Sequence, residues 1–227
     1  MNRLNQSTLR QTLLDQQVEA NQVLADPLLV LRDKWDQALT LLDNDLIKVI
    51  TGIRRCGKSV FALQLARKWS DGKFIHINFD DERLHAVDTP DLARLLEVAL
   101  EIRPGVKHLC LDEIQNVEGW ELFVNRLKRQ GFCVVVTGSN SKLLSKELAT
   151  HLTGRTLSLE LWPFSFREFL SFKKLPTNPS ALTTEQRAGM NVKFREYLET
   201  GGFPDVCRGV PAKPYLRELF DRLISRD

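Results

Sequence analysis

The sequence predicts an α/β protein in which a five-stranded parallel sheet is sandwiched by helices. From Leu46 onward, short apolar runs alternate with longer amphipathic ones, the pattern of β-α units around such a sheet. The first run, Leu46 to Ile50, leads into Thr51-Gly52-Ile53-Arg54-Arg55-Cys56-Gly57-Lys58-Ser59, and an amphipathic stretch from Val60 to Trp69 follows. That segment fits G-x-x-x-x-G-K-S/T and lies between a strand and a helix, as a phosphate-binding loop requires.

Residues 1–43 are polar and helix-prone, with Leu9, Leu13, Leu14 and Val18 spaced for one apolar face before a break at Asp26-Pro27. A second helix is expected from Leu28 to Leu42. Strands are expected at 46–51, 73–79, 106–111, 132–137 and 156–161, and helices between them at 59–70, 90–102, 119–130 and 141–152. Thr89-Pro90-Asp91 reads as a helix start, with a cap, a proline in the first turn and an early acid. Asp71-Gly72, Pro104-Gly105 and Gly131 read as helix ends. Trp120, Phe123, Val124 and Leu127 follow helical spacing and form a core-facing stripe.

Pro163 stops the last strand, Ser165 to Phe172 reads as a short helix, and Lys173 to Thr184 as a linker. Helices at 185–200 and 213–226 follow, separated by Gly201-Gly202-Phe203-Pro204. Trp162, Phe164, Phe166 and Phe169 are expected to pack the second subdomain onto the sheet. The organisation is thus an N-terminal helical segment at 1–43, a phosphate-loop core at 44–163 and a helical lid or start of a C-terminal region at 164–227. The last helix reaches Asp227 without a stop signal, so the sequence is expected to continue in a longer protein.

The loop sets the chemistry. Gly52 and Gly57 let the backbone turn and approach a phosphate, so that successive N–H groups from Ile53, Arg54, Arg55 and Cys56 through Val60 can point at the anion, while the side chains of Arg54 and Arg55 either contact phosphate or face solvent. The helix beginning near Lys58 adds the positive end of its dipole. Lys58 would reach the β- and γ-phosphates, and the Ser59 hydroxyl would ligate Mg²⁺. The third strand delivers Asp112 and Glu113 at its carboxyl end, where ligands of open α/β sheets bind. Asp112 is placed to hold the metal, and Glu113 to polarise the attacking water. The fourth strand ends in Gly138-Ser139-Asn140-Ser141, and either Ser139 or Asn140 would sense the γ-phosphate while Ser141 caps the next helix. Arg155 either bonds the last carbonyls of the preceding helix or reaches as an arginine finger into a neighbouring subunit, which implies a homo-oligomer. Asp80-Asp81-Glu82 reads first as a capped loop, and the four histidines lack metal-ligand spacing.

A formal charge of +3 over 227 residues gives no argument for nucleic acid. Cys56, Cys110, Cys133 and Cys207 show no C-x-x-C spacing and read as reduced, mostly buried thiols of a cytoplasmic protein. No apolar run approaches the roughly 18 residues of a membrane span. No N-K-x-D motif follows the fourth strand, which argues against a GTPase. A small-molecule kinase would need an acceptor pocket and an arginine-rich lid, neither of which is evident. A nucleotide-gated binding module stays open, although both acids argue against it.

With these residues in place, the chain resembles the AAA+ ATPases, and most of all a group of prokaryotic predicted ATPases with the order TGIRRCGKS, LDEIQ, TGSNSKLL, LTGRTLSLELWPFSFREF and GGFPDV. The resemblance covers roughly residues 28–227. It implies a P-loop NTPase sheet with the loop strand central, ATP with Mg²⁺ as ligand, and a small helical lid. It places Gly52, Gly57, Lys58 and Ser59 at Walker A positions, Asp112 and Glu113 at Walker B, Ser139 or Asn140 at the first sensor, and Arg155 near the arginine-finger site. Arg195, Arg208 and Arg217 are candidates for a second sensor. Such proteins often carry a further C-terminal domain. The function expected from these residues is Mg²⁺-dependent ATP hydrolysis that changes lid or subunit geometry and so acts on a macromolecular partner, protein or DNA.

Overall fold

The computed structural model describes residues 5–138, 152–177 and 183–224. Their elements are α1 (Gln6–Leu24), α2 (Trp35–Thr40), β1 (Ile47–Gly52), α3 (Lys58–Trp69), β2 (Phe74–Asn78), α4 (Asp91–Ile102), β3 (His108–Asp112), α5 (Trp120–Arg129), β4 (Cys133–Thr137), β5 (Thr156–Leu161), α6 (Phe166–Phe172), α7 (Thr184–Thr200), α8 (Pro204–Cys207) and α9 (Ala212–Ile224). The helix expected at 141–152 falls almost wholly outside the described residues.

The five strands form one parallel sheet in the order β2-β3-β4-β1-β5. All six residues of β1 are buried, as befits a strand covered on both faces and flanked by β4 and β5. The fold is therefore the P-loop NTPase α/β fold, with the loop strand inside the sheet.

The described residues divide into two compact units. The first holds the residues up to Pro27, Asp36–Ile53 and Lys58–Leu161; the second holds Leu28–Trp35, Arg54–Gly57 and the residues from Trp162 on. The core of the first unit joins Leu109, Leu111, Val134 and Val136 of the sheet to Leu92, Leu95 and Ala99 of α4 and to Trp120, Phe123, Val124 and Leu127 of α5. Each Leu, Val or Phe side chain among these, fully buried, contributes about 1.5–3 kcal/mol.

α1 closes the exposed edge of the sheet. On the edge strand β2, Gln16 donates to Asn78 O at 3.0 Å and accepts from Asn78 N–H at 2.9 Å, replacing the partner strand that this edge lacks. Asp81 accepts from Gln16 at 2.9 Å and pairs with Arg83 at 2.8 Å, and Arg83 pairs with Asp15 of α1 at 2.6 Å. The acidic run after β2 is thus a capped loop that ties α1 down.

Lys48 lies wholly inside β1. Its aliphatic stem is buried while Nζ donates to Asn44 O and Asn44 Oδ1, both at 2.8 Å, 4.8 Å from the Trp69 ring centre. Burial lowers its pKa to about 8.

The second unit has its own core of Val30, Phe164, Phe169, Leu170 and Cys207. Phe166 stacks on Phe169 and meets Phe194 edge-on, and Tyr197 donates from its hydroxyl to Phe164 O at 2.8 Å.

Two expectations are corrected. The helix expected from Leu28 to Leu42 is only α2 followed by a 3-10 turn at Leu41–Asp43. Val30 and Arg32 are buried while Leu31 between them is 62% exposed, so tertiary contacts impose a two-residue alternation on residues that could have been helical. Thr89 does not cap α4: its hydroxyl donates to Glu118 O, and the Asp88 carboxylate accepts from Asp91 N–H at 3.1 Å instead. Of the aromatic group after β5, Phe164 and Phe169 pack within the second unit's own core, and Trp162 is 53% exposed.

Candidate functional site

The glycine-rich loop leaves the carboxyl end of β1. Gly52 ends the strand, Arg55 and Gly57 hold left-handed conformations with φ of 67° and 96°, and Lys58 opens α3. A residue with a side chain at Gly57 would be strained, so the turn into the helix depends on glycine there. Ser59 and Val60 occupy the first turn of α3 and are half-buried.

In the first unit, the Lys58 side chain is 4% exposed; Nζ donates to Ile53 O at 3.2 Å and lies 4.0 Å from Glu113 Oε1. Sheet order explains how residues so distant in sequence meet. β4 separates β1 from β3, all three run parallel, and the loop and the acids therefore emerge at one carboxyl edge. Asp112, the last residue of β3, is 4% exposed, and its carbonyl accepts from Phe79 N–H at 2.9 Å. Glu113 follows in a left-handed conformation at φ 52°, which turns the chain sharply off the strand.

Thr137, wholly buried at the end of β4, links the two acids. Its hydroxyl donates to Asp112 Oδ1 and accepts from Glu113 N–H at 3.1 Å. Gln115 donates to Glu113 Oε2 at 2.5 Å, orienting the carboxylate whose other oxygen faces Lys58. Sequence reasoning passed over both residues. Thr137 reads as one more β-branched strand former, and only its place at the carboxyl end of the strand beside β3 distinguishes it.

On the same face of the sheet, β-strand alternation places His76 and Cys110 with Asp112. Burial holds the His76 imidazole below its usual range, partly opposed by Asp112, and raises the Cys110 thiol well above its own.

Within the second unit, Arg55 lies 3.8 Å from Asp205 of α8, whose carboxylate accepts from the Tyr215 hydroxyl of α9 at 2.8 Å. Cys56 is buried, and its carbonyl accepts from Arg32 Nη1 at 3.1 Å. Arg54 is exposed.

Arg155 is exposed, and its guanidinium donates to Asn125 Oδ1 of α5 at 3.0 Å. Its main-chain carbonyl accepts from Ile47 N–H at 2.9 Å, at the start of β1. Ser139, Asn140 and Ser141 lie outside the described residues.

The residues present suit a nucleoside phosphate with its metal. A buried ammonium with three donors gives one of them to the Ile53 carbonyl. A helix N-terminus and a glycine-dependent turn adjoin it, and a buried carboxylate held by a hydroxyl stands at the same edge.

A family model described as an AAA domain matches residues 44–170, more than half of the chain. The chain belongs to this family, and with it to the P-loop ATPase superfamily. An uncharacterised protein of Methanocaldococcus jannaschii is 38% identical over 224 residues, covering 95% of this chain and 50% of that protein. An uncharacterised protein of Haemophilus influenzae is 34% identical over 200 residues, covering 84% of this chain and 48% of that protein. The chain therefore spans about half the length of these relatives.

Among solved structures, the replication initiator DnaA bound to AMPPCP and single-stranded DNA aligns at 16% identity with a TM-score of 0.45, over 79% of this chain and 66% of that one. PCH-2 of C. elegans aligns at 14% identity with a TM-score of 0.46, over 90% and 60%. Likenesses of this size carry no weight beyond the family match. Among the described residues, no helix is long and apolar enough to cross a membrane.

Proposed function

We propose that this chain binds ATP with Mg²⁺ and hydrolyses it, and that hydrolysis changes the protein's geometry so as to act on a macromolecular partner. The observation that carries the reading is the approach of Lys58 to Glu113, 4.0 Å apart at the carboxyl edge where the loop strand and the acidic strand end on either side of β4.

In this reading, main-chain N–H groups from Gly52 through Val60 hold the phosphates, and Lys58 swings onto the β- and γ-phosphate oxygens. Ser59 and Asp112 hold Mg²⁺, which when bound supplies charge neutralisation across the phosphates. Drawing Lys58 toward phosphate frees Glu113 to align a water and accept its proton. Thr137 keeps both acids in place, Ser139 or Asn140 responds to the γ-phosphate, and the exposed Arg155 acts in trans within a homo-oligomer.

The contact of Arg55 with Asp205 supports a nucleotide-dependent change. An exposed arginine of the phosphate loop drawn to a phosphate would leave the Asp205 carboxylate, which also accepts from Tyr215 and so joins α8 to α9. The net charge of +3 favours neither protein nor DNA as partner.

The decisive comparison is Lys58→Ala against Glu113→Gln. The first abolishes ATP binding; the second binds ATP and turns it over about 100-fold more slowly or worse. Unchanged hydrolysis in both variants overturns the mechanism. DNA titrations at several salt concentrations then decide whether DNA is the partner, and sedimentation with and without a non-hydrolysable ATP analogue tests Arg155, which a strictly monomeric species would remove from the site.

A further inference from the structure

We infer that Arg32 is a positioning residue for the phosphate loop, acting through the main-chain carbonyl of Cys56. The inference rests on the nucleotide reading above and deepens it.

The Arg32 side chain is 5% exposed, and both terminal nitrogens of its planar fork donate to main-chain carbonyls. It donates to Cys56 O at 3.1 Å and to Trp162 O, its Nε lies 3.0 Å from Glu168 Oε1, and its guanidinium stands 5.0 Å from the Phe164 ring centre. Glu168 is held in turn, because its carboxylate accepts from the main-chain N–H groups of Asp33 at 2.5 Å and Ser165 at 2.9 Å. A guanidinium pinned on a pinned carboxylate has little freedom. The loop carbonyl on its other side is therefore fixed as well.

Peptide geometry carries this to the ligand. No cis peptide occurs among the described residues, and in a planar trans peptide the C=O and the following N–H point in opposite directions. Holding the Cys56 carbonyl on Arg32 consequently turns the Gly57 N–H away from Arg32, toward the inside of the loop. The flipped peptide would present a carbonyl oxygen to the anion instead. Gly57, at φ 96°, belongs to the one residue type free enough to allow such a flip, so this peptide needs an anchor from outside the loop. Arg32 also sets the local clearance, since a Cβ built on Gly57 would stand 3.4 Å from its Nη1.

The test compares the wild-type chain with Arg32→Lys, which keeps the charge but loses the fork, and with Arg32→Met combined with Glu168→Met, which leaves no buried charge unpaired. ADP affinity is measured by calorimetry, and the Gly57 amide is followed by NMR in ¹⁵N-glycine-labelled protein, with far-UV circular dichroism as the fold control. The wild type should bind ADP with a downfield shift of the Gly57 N–H, as a charge-assisted hydrogen bond produces. Both folded variants should bind ADP about ten-fold or more weakly and lose that shift. Binding within about two-fold of wild type, or a retained Gly57 shift, overturns the inference, as does the unfolding of both variants, which would make the pair a folding element alone. A wild type that fails to bind ADP instead removes the nucleotide reading itself, and this inference with it.

Discussion

The Thr137 hydroxyl donates a hydrogen bond to Asp112 Oδ1 and accepts one from the main-chain N–H of Glu113 at 3.1 Å. One side chain thus holds a carboxylate and the backbone of the next acid, and the β3–β4 pairing, Leu111 opposite Val136, brings it there. Thr137→Val keeps the shape and removes both bonds. An unsatisfied buried polar group costs about 1–3 kcal/mol, and each ~1.4 kcal/mol is a factor of ten in rate. We expect turnover to fall about ten-fold or more with ATP affinity little changed, and Thr137→Ser to restore it. Phosphate-release kinetics on the pair, with binding measured separately, decide this, and wild-type turnover in the valine variant would dismiss the bridge.

Gly202 permits a close approach that no other residue could. A Cβ built on it would lie 2.0 Å from the Phe164 carbonyl oxygen, while Phe164 N–H donates to Gly202 O at 2.7 Å. The same Phe164 carbonyl accepts from the Tyr197 hydroxyl, so a displaced backbone would disturb α7 as well. Gly202→Ala should destabilise the second unit by about 3 kcal/mol, the scale of an overpacked core. Denaturant unfolding followed by near-UV circular dichroism checks it; a loss below about 0.5 kcal/mol would show that the segment shifts at no cost.

The parts of the candidate site differ in how far the sequence announced them. The loop from Thr51 to Ser59 was legible because its chemistry is local: two glycines, a lysine and a hydroxyl at fixed spacing between a strand and a helix. Asp112 and Glu113 were legible for a similar reason, as acids ending an apolar run. The sheet followed from alternating apolar and amphipathic stretches. Contacts between distant segments were not legible. Nothing in the sequence around Arg32 signals Glu168 or the Cys56 carbonyl, and the residues flanking it read as helix until burial of Val30 and Arg32 on alternate positions imposed an extended path. The hydroxyl of Thr137 was hidden by its strand-forming shape, and only its neighbour strand gives it a partner.

The Asp81 carboxylate predicts a response to acid. Hydrogen bonding from Arg83 lowers its pKa to about 2, against an ordinary value near 3.8. Between these values the unfolded chain binds the proton and the folded chain does not, so stability falls as pH drops through that window. The contribution is fully present above about pH 4. Asp81→Asn should therefore be less stable than the wild type at pH 6, and the gap should close as pH falls from 4 toward 2. Urea midpoints across this range measure it, and a gap independent of pH would mean that Arg83 holds the loop without help from the charge.

Lys48 gives a slope of the same sign at the alkaline end, but from a burial penalty relieved rather than a stabilising charge gained. Burial lowers its pKa to about 8 from an ordinary 10.5, so the folded state favours the neutral amine. Below pH 8 the charged form is carried in both states and its desolvation penalty is fully present; between about 8 and 10.5 the unfolded chain alone keeps the proton, and wild-type stability gains with rising pH. Lys48→Met removes this dependence together with the donors to Asn44. Because the lost hydrogen bonds and the relieved burial oppose each other, the slope of the difference is the informative quantity. We expect the stability of Lys48→Met relative to wild type to decline steadily between pH 8 and 10 in denaturant unfolding. A flat difference over that interval would show that Lys48 keeps its charge inside β1, held by the Asn44 acceptors and the Trp69 ring.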